Sequence, residues 1–288
     1  MHAEDMPKSD GIKFPLAAPA LTILAACGAT DDRAPGTLPH GPDLQTVAAR
    51  RPPADDADPP PKDGAYRVQL TAEIAVLRER CKGAVPPQQP ATARAPDLVE
   101  PTQLDPSLKL DVRYATTDNF LSARVYDEAR VFLQRPAAEA LVRAHESLRS
   151  FGMGLLLHDG YRPWRVTKLF WEATPLAQRD FVADPSSGSR HNRGGAIDLS
   201  LFDLATGRAL FMPSGFDAFT EAAHPEFAGG TPMQRWRRDL LRAAMEAQGF
   251  SVYDGEWWHF DHATWQQYPL LDVTFAEIDA TRRQSNSK

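Results

Sequence analysis

Residues 189–200, SRHNRGGAIDLS, hold the densest group of chemically informative side chains in the chain, and their second half indicates a strand. On a strand, Ala196, Asp198 and Ser200 share one face, while the apolar residues between them share the other. A carboxylate in the middle of such a strand is costly unless it is paired or bound to a metal. His191 lies seven residues earlier, and the two glycines in between allow a tight turn back toward Asp198. Either residue alone is more often an ordinary polar group than a ligand.

A second informative segment, EWWHF, spans residues 256–260. Regular strand alternation places Glu256 and His259 on opposite faces. If the segment bends near Glu256, the carboxylate approaches a metal held by His259 without being a ligand, which is where a metallopeptidase needs its base. An aromatic strand with chance polar neighbours is the alternative. His262 is interpreted as a surface residue or a neighbour of the site rather than as a ligand.

The third segment, DGYRP at residues 159–163, follows a predicted buried strand and precedes a predicted helix. This position puts Arg162 where a strand gives way to a helix. A guanidinium fixed there would stabilise an oxyanion or a carboxylate. A structural salt bridge explains Arg162 equally well from the sequence alone.

Together these segments form the pattern Ser-x-His-x-x-Gly-x-Ala-x-Asp followed by Glu-x-Trp-His, which resembles the zinc D,D-peptidases. Within these peptidases, the sequence resembles the D-Ala-D-Ala dipeptidase branch of family M15, of the kind found in vancomycin-resistance systems, more closely than the carboxypeptidases. The features of that branch recur in YATTDNF at 114–120, in DGYRP, in the doubled Trp of EWWH, and in MPSGFDAF at 212–219. The last stretch departs from the branch in having Pro213 where a Gly is expected. The resemblance covers residues 104–269.

The resemblance implies a role for each matching residue and one zinc ion per chain. The implied zinc ligands are His191, Asp198 and His259, and Glu256 is the implied catalytic base. Arg162 would stabilise the tetrahedral intermediate. Asp217 would pair with the free ammonium of a dipeptide, and Ser189 would hydrogen-bond near the same end. Independently of the resemblance, three N/O ligands that leave a fourth position open for water are what a catalytic zinc requires.

The resemblance implies hydrolysis of the D-Ala-D-Ala dipeptide to two D-alanines, linked to peptidoglycan metabolism or glycopeptide resistance. A D,D-carboxypeptidase that trims peptidoglycan stem peptides is the nearest alternative. Asp217 discriminates between the two, because a carboxylate that binds a free ammonium penalises an acylated substrate. A non-catalytic, lipid-anchored module that binds the cell wall is an alternative from another class. The only partner predicted is the small dipeptide, and the sequence indicates no protein partner.

Composition excludes several other classes of protein. Hydrophobic residues make up 42% of the 288, which is typical of a globular chain. Net charge is -6 with scattered Lys and Arg, so the basic patch of a nucleic-acid binder is missing. Two cysteines form neither a disulfide scaffold nor a four-cysteine zinc site.

Patterning predicts an α+β fold from about Asp97 to residue 275: one compact domain with a central, mainly antiparallel sheet flanked by helices and the zinc at the sheet face. Predicted strands span 108–114, 154–158, 195–202, 250–253 and 257–260, and predicted helices span 136–150, 163–173 and 235–248. Residues 276–288 are expected to be a polar tail.

The segment before this domain is expected to anchor and tether it. Residues 1–27 resemble a secretory signal peptide that ends in a lipobox-like LAAC, so Cys27 is a predicted lipidation site. This predicts a location at the bacterial cell envelope, on the periplasmic side, with membrane contact only through that lipid. Residues 28–96 hold 12 of the chain's 25 prolines, which predicts an extended tether that is dispensable for catalysis. Within it, the spacing of apolar residues predicts a short helix between Tyr66 and Cys81.

Overall fold

The computed structural model describes residues 43–53, 59–61 and 66–286. The predicted signal segment and Cys27 lie outside the described residues, so the anchor stays a prediction. Among the helices that are described, none combines the length and the hydropathy needed to traverse a bilayer.

Helices and strands alternate irregularly along the described chain. The helices are α1 Leu44–Ala48, α2 Ile74–Cys81, α3 Pro101–Leu104, α4 Arg135–Leu148, α5 Trp164–Ala173, α6 Pro232–Glu246 and α7 Phe275–Asn286. The strands are β1 Leu98–Val99, β2 Lys109–Leu110, β3 Leu133–Gln134, β4 Met153–Asp159, β5 Ala196–Asp203, β6 Phe250–Tyr253 and β7 Glu256–His262.

A five-stranded sheet forms the centre of the fold, with the strand order β2-β4-β5-β7-β6. Only β2 and β4 run parallel, and all other neighbours in this sheet are antiparallel. Helix α4 packs on β4, and α6 packs on β5, β6 and β7. The predicted α+β fold with a mainly antiparallel sheet flanked by helices is confirmed.

The two faces of β5 have different chemistry, as its alternation predicts. Ile197, Leu199 and Leu201 are fully buried in the hydrophobic core. Asp198 and Ser200 belong to the opposite face, where both are buried as polar residues. The sheet therefore separates an apolar core from a polar site.

Two predicted elements differ from the structure for identifiable reasons. The strand expected at 108–114 is only β2, because the chain turns after it and sends the Tyr114 side chain inward, where its hydroxyl donates a 2.8 Å hydrogen bond to Asp217. Helix α6 begins three residues before the predicted start at Arg235. Thr231 and Gln234 cap its first turn reciprocally, a signal that hydrophobic periodicity alone does not contain.

The expected polar tail is a helix over most of its length. Thr274 and Glu277 exchange hydrogen bonds at the start of α7 and form a capping box. Ile278 is buried, and Asp279 accepts hydrogen bonds from Arg130 at 2.7 and 2.9 Å. One apolar residue and one ion pair thus fix a segment that is otherwise polar.

The described part of the expected tether packs on the domain. The predicted short helix is present as α2, which contacts α5, and its Leu77 is fully buried. Helix α1 contacts α6, where the indole of Trp236 donates to the carbonyl of Val47 at 2.9 Å. These contacts differ from the extended tether that the proline content suggested, while the expectation that the segment is dispensable for catalysis stays a prediction.

Candidate metal centre and active site

Strand register brings three polar residues into one row across the sheet. Asp198 on β5 stands opposite His259 on β7, and opposite Asp159 on β4. A register shift between Leu157 and Asp159 creates the second pairing, since without it Asp159 would face Ile197. Cross-strand neighbours point to the same face, so the row gathers three charged side chains at one place.

His191 reaches this row from a short 3₁₀ turn that precedes β5. Ser189 and Asn192 cap the turn reciprocally, and Gly194 ends it at a φ of 66°, a left-handed conformation suited to glycine. The imidazole is buried and forms a compact group with Asp198 and His259. The ligand atoms of these three residues all lie within 4.8 Å of one another.

Hydrogen bonds on the outer side of each imidazole leave one free lone pair facing the group. His191 Nδ1 lies 2.7 Å from the carbonyl oxygen of Gly160 and donates to it. His259 Nε2 lies 3.0 Å from Asp261 Oδ1 and donates to that carboxylate. These contacts assign the tautomers and direct His191 Nε2 and His259 Nδ1 at each other, 3.0 Å apart.

The donor set fits a cation with tetrahedral preference. Asp198 completes it, with Oδ1 3.0 Å from His259 Nδ1 and Oδ2 3.4 Å from His191 Nε2. Ligands about 2.0–2.1 Å from a tetrahedral zinc would be roughly 3.3 Å apart, close to these separations. Two nitrogen lone pairs and a carboxylate repel one another unless a positive charge lies between them.

The charges around the group also favour a cation. Burial opposes the protonation of His259, but Asp261 and Asp198 outweigh it and raise its pKa to about 10. Burial likewise opposes the ionisation of Asp198, yet His191 and His259 hold its pKa well below the ordinary value. The site thus keeps its carboxylate ionised and attracts positive charge.

Glu256 comes close to His259 through an irregularity in the β6–β7 hairpin. Val252 pairs with Phe260 but Tyr253 pairs with Glu256, so the register slips by three residues. This is the bend on which the prediction for Glu256 depended. Its Oε2 lies 3.8 Å from His259 Nδ1, beside the metal group but outside it. Burial is the main cause that raises the pKa of Glu256, to about 7, which suits a group that takes up and returns a proton.

Arg162 lies in the short connection between β4 and α5, where several contacts fix its side chain. Its Nε and one terminal nitrogen each lie 2.8 Å from Asp159 Oδ2, while Tyr126 donates to the other oxygen of that carboxylate. The guanidinium also packs over the rings of Tyr114 and Phe170. A terminal nitrogen lies 3.8 Å from Asp198 Oδ2, so the cation adjoins the metal group.

Asp217 is presented by the loop at residues 212–219. Its φ of 58° is left-handed, and its buried carboxylate accepts the hydrogen bond from Tyr114. Burial first, and then the charge of Asp198, raise the pKa of Asp217 well above the ordinary value. A cationic partner would therefore favour its charged form. The strand β7 supports the loop, because Trp257 donates to Ser214 Oγ at 2.8 Å.

Two other predicted residues lie outside the group of ligands. The Ser189 hydroxyl accepts a 3.3 Å hydrogen bond from the backbone N–H of His191, so the structure shows it capping the turn. His262 is buried rather than exposed. It packs against Phe250 and lies 2.8 Å from Thr264 Oγ1 through its Nδ1.

A Ser–His–Asp cluster elsewhere in the fold resembles a hydrolytic triad, but its hydrogen bonds run in the opposite direction. Ser107 lies 2.9 Å from His145 Nε2 and 2.5 Å from Asp105. His145 Nδ1 accepts a hydrogen bond from the backbone N–H of Leu155 at 3.0 Å, so Nε2 carries the proton. Such a histidine donates to the serine and has no lone pair to activate it.

The sequence interpretation missed three residues that support the site. Asp159 stood inside the DGYRP motif but received no role, although an acid three residues before Arg162 is a natural partner. Asp261 shares a strand face with His259, a signal that alternation offers. It is bound on its outer side by Arg190. No pattern in the residues around Tyr114 predicts its contact with Asp217, because the two residues are 103 positions apart.

Comparison with known proteins identifies relatives of the chain. Residues 94–279 match the family of M15 peptidases described as D-ala-D-ala dipeptidase. The chain is 36% identical over 180 residues to a D-alanyl-D-alanine dipeptidase of Escherichia coli (strain K12), covering 62% of this chain and 92% of that protein. It is 37% identical over 174 residues to one of Enterococcus faecium, covering 53% and 85%. A third, of Enterococcus faecalis, is 36% identical over 190 residues, covering 59% and 92%.

We expect loss of any proposed ligand to release the metal. His191→Ala, Asp198→Ala and His259→Ala should each lack zinc after equilibration with one equivalent, because two donors do not hold the ion against a chelator. Asp261→Ala should weaken zinc binding by roughly 10–100-fold, since it orients His259. Competition with a chromophoric chelator measures both effects. His262→Ala, a buried histidine on the same strand, is the control, and full zinc occupancy in His259→Ala would contradict the assignment.

Proposed function

The chain belongs to the D-Ala-D-Ala dipeptidase family of M15 peptidases and is an enzyme of that class, and we propose on that basis that it hydrolyses D-Ala-D-Ala to two D-alanines with one zinc ion. The observation that carries this proposal is the convergence of His191 Nε2, His259 Nδ1 and the Asp198 carboxylate within 4.8 Å. When bound there, zinc supplies Lewis-acid chemistry, which polarises the scissile carbonyl and acidifies the attacking water.

Glu256 moves the proton in this proposal. Its Oε2 lies beside the ligand group and its pKa is about 7, so it accepts a proton from the attacking water near neutral pH. The same carboxyl then delivers that proton to the nitrogen of the leaving D-alanine. The Glu256 side chain is 26% exposed, so a bound substrate can reach it.

Arg162 stabilises the negative charge that develops on the carbonyl oxygen. Its guanidinium is fixed by Asp159 and two aromatic rings, so no reorganisation is needed when that charge appears. This role requires the cation to face the ligand group, and its 3.8 Å distance to Asp198 supports that.

Asp217 selects a free dipeptide over an acylated one. Its buried carboxylate accepts a hydrogen bond from Tyr114 but has no cationic partner within the part of the chain that the structure describes, and the ammonium of D-Ala-D-Ala supplies one. This favours the dipeptidase over the D,D-carboxypeptidase alternative, whose substrates are acylated at that position. We assign Ser189 to the same end of the substrate, where its hydroxyl would add a hydrogen bond to its capping role.

We further propose that the enzyme works at the bacterial cell envelope, in peptidoglycan metabolism or glycopeptide resistance, anchored through a lipid on Cys27. The apolar run that ends in LAAC at 24–27 supports this location. Expressed in bacteria with labelled palmitate, the full chain should become labelled and partition into the membrane fraction. Cys27→Ser should abolish both, with Cys81→Ser as the control, and unchanged labelling of Cys27→Ser would contradict the anchor.

Removing the proposed base should separate metal binding from catalysis. We expect Glu256→Gln to keep its zinc while kcat for D-Ala-D-Ala falls by about 100-fold or more, because general acid–base catalysis contributes on that order. Zinc analysis and D-alanine release measure the two quantities. Asp254→Asn removes a charge from the same hairpin at an exposed position and serves as the control. A Glu256→Gln variant with ordinary turnover would exclude Glu256 as the base.

Acetylating the substrate tests the role of Asp217. N-acetyl-D-Ala-D-Ala lacks the ammonium and leaves the buried carboxylate unpaired, so kcat/KM should fall by roughly a hundredfold or more. Asp217→Ala should lower activity on the free dipeptide and narrow its advantage over the acetylated one. If the native enzyme prefers the acetylated dipeptide or a muramyl pentapeptide, the carboxypeptidase alternative replaces the dipeptidase.

A further inference from the structure

We propose that Tyr66, which precedes the family-matched region, is a specificity-determining residue that holds the loop at 212–219 so that Asp217 meets the ammonium of a free dipeptide. The inference rests on the role proposed above for Asp217. It assigns a role in substrate selection to the N-terminal extension, defined here as residues 66–81. The extension therefore positions the loop that carries Asp217, in addition to connecting the domain to the preceding chain.

Tyr66 packs directly on the loop that carries Asp217. Its ring centroid lies 4.8 Å from that of Phe219, two residues after Asp217. Phe181 stacks on Phe219 as well, at 4.8 Å and an interplanar angle of 5°. Gln178 donates a hydrogen bond to the Tyr66 hydroxyl, which fixes the tyrosine ring in place. Phe219 is thereby packed between the ring of Tyr66 from the extension and that of Phe181 from the domain.

Backbone and side-chain hydrogen bonds hold the residues that follow Tyr66 in the extension against the domain. Arg67 donates to the carbonyl of Asn119 and to the carboxylate of Asp118, both at 2.6 Å. The backbone N–H of Val68 donates to Phe120 at 2.9 Å, and that of Thr71 donates to Ala173 at 3.1 Å. These bonds attach the segment to two separate parts of the domain.

An unbroken series of aromatic contacts leads from the extension to Asp217. Phe219 contacts Phe120 at 5.4 Å between ring centroids, and Phe120 contacts Tyr114 edge-on at 6.2 Å. Tyr114 then donates its hydroxyl to the Asp217 carboxylate. Tyr66 thus belongs to the cluster that fixes both the loop and the hydrogen-bond donor of Asp217.

The loop needs this support because Asp217 is in a strained conformation. A φ of 58° is unusual for a residue with a side chain, and it persists only when surrounding contacts hold it. Loosening Phe219 would let the backbone at Asp217 relax and would move the carboxylate away from Tyr114.

The comparisons indicate that the extension adds to what the family needs. The family match begins at residue 94, after the whole extension. The match to the E. coli dipeptidase accounts for 92% of that protein but for 62% of this chain. We therefore expect the extension to adjust substrate choice rather than to supply chemistry.

Steady-state kinetics of full-length Tyr66→Ala test the inference. We expect KM for D-Ala-D-Ala to rise about tenfold, kcat to stay within about twofold, and zinc content to be unchanged. The preference for free over N-acetylated dipeptide should fall by a similar factor. Tyr66→Phe keeps the ring but removes the hydroxyl that accepts from Gln178, so its KM and preference should stay closer to native than those of Tyr66→Ala. Val76→Ala, at an exposed position on α2, is the control.

Three results would overturn the inference. Native KM and native preference in Tyr66→Ala would show that the extension does not position Asp217. A fall in kcat together with loss of zinc would show a general structural role. If Tyr66→Ala does not fold, Arg67→Ala loosens the same segment without removing the ring, and native kinetics in that variant would be equally contrary. If Asp217→Ala itself leaves the preference unchanged, the proposed function fails instead.

Discussion

The buried carboxylate of Asp198 is the constraint on which the rest of the site depends. An ionised carboxylate within a sheet is unfavourable by many kcal/mol unless charges and hydrogen bonds compensate it. The fold meets this cost with two imidazoles and a guanidinium, and each of them is in turn oriented by a further partner: Gly160, Asp261 and Asp159. Removing one outer partner therefore disturbs the centre, and this explains why the polar face of the sheet is so extensively hydrogen-bonded.

Much of this arrangement follows from sequence patterns, and the remainder depends on irregularities that patterns do not contain. Alternation along β5 predicts which face of the sheet carries Asp198. The two glycines between His191 and Asp198 predict that the His191 side chain turns back toward Asp198. The approach of Glu256 to His259 required a slip of three residues in the β6–β7 pairing, which no local propensity specifies. Likewise, the extra residue in β4 that aligns Asp159 with Asp198 is a property of the paired strands rather than of either strand alone.

Proline content was misleading about the N-terminal segment for a physical reason. Proline disfavours helices and central strands, but it does not prevent an extended chain from docking on a surface. Leu77 and Val68 are buried, which offsets the entropy lost when the segment becomes ordered. The helical spacing between Tyr66 and Cys81 was the informative signal, because it predicted α2, which contacts α5.

The contact between Tyr66 and Phe219 has a consequence for how the enzyme matures. These rings are separated by 153 positions in the chain. During synthesis Tyr66 therefore cannot contact Phe219 until most of the domain has left the ribosome. Contacts of such long sequence separation form late, because the intervening chain has to be ordered first. When the complete chain folds, the strand pairs of the central sheet, which are closer in sequence, would thus form before the contact between Tyr66 and Phe219. Support for the loop that discriminates among substrates would come after the sheet that holds the metal ligands.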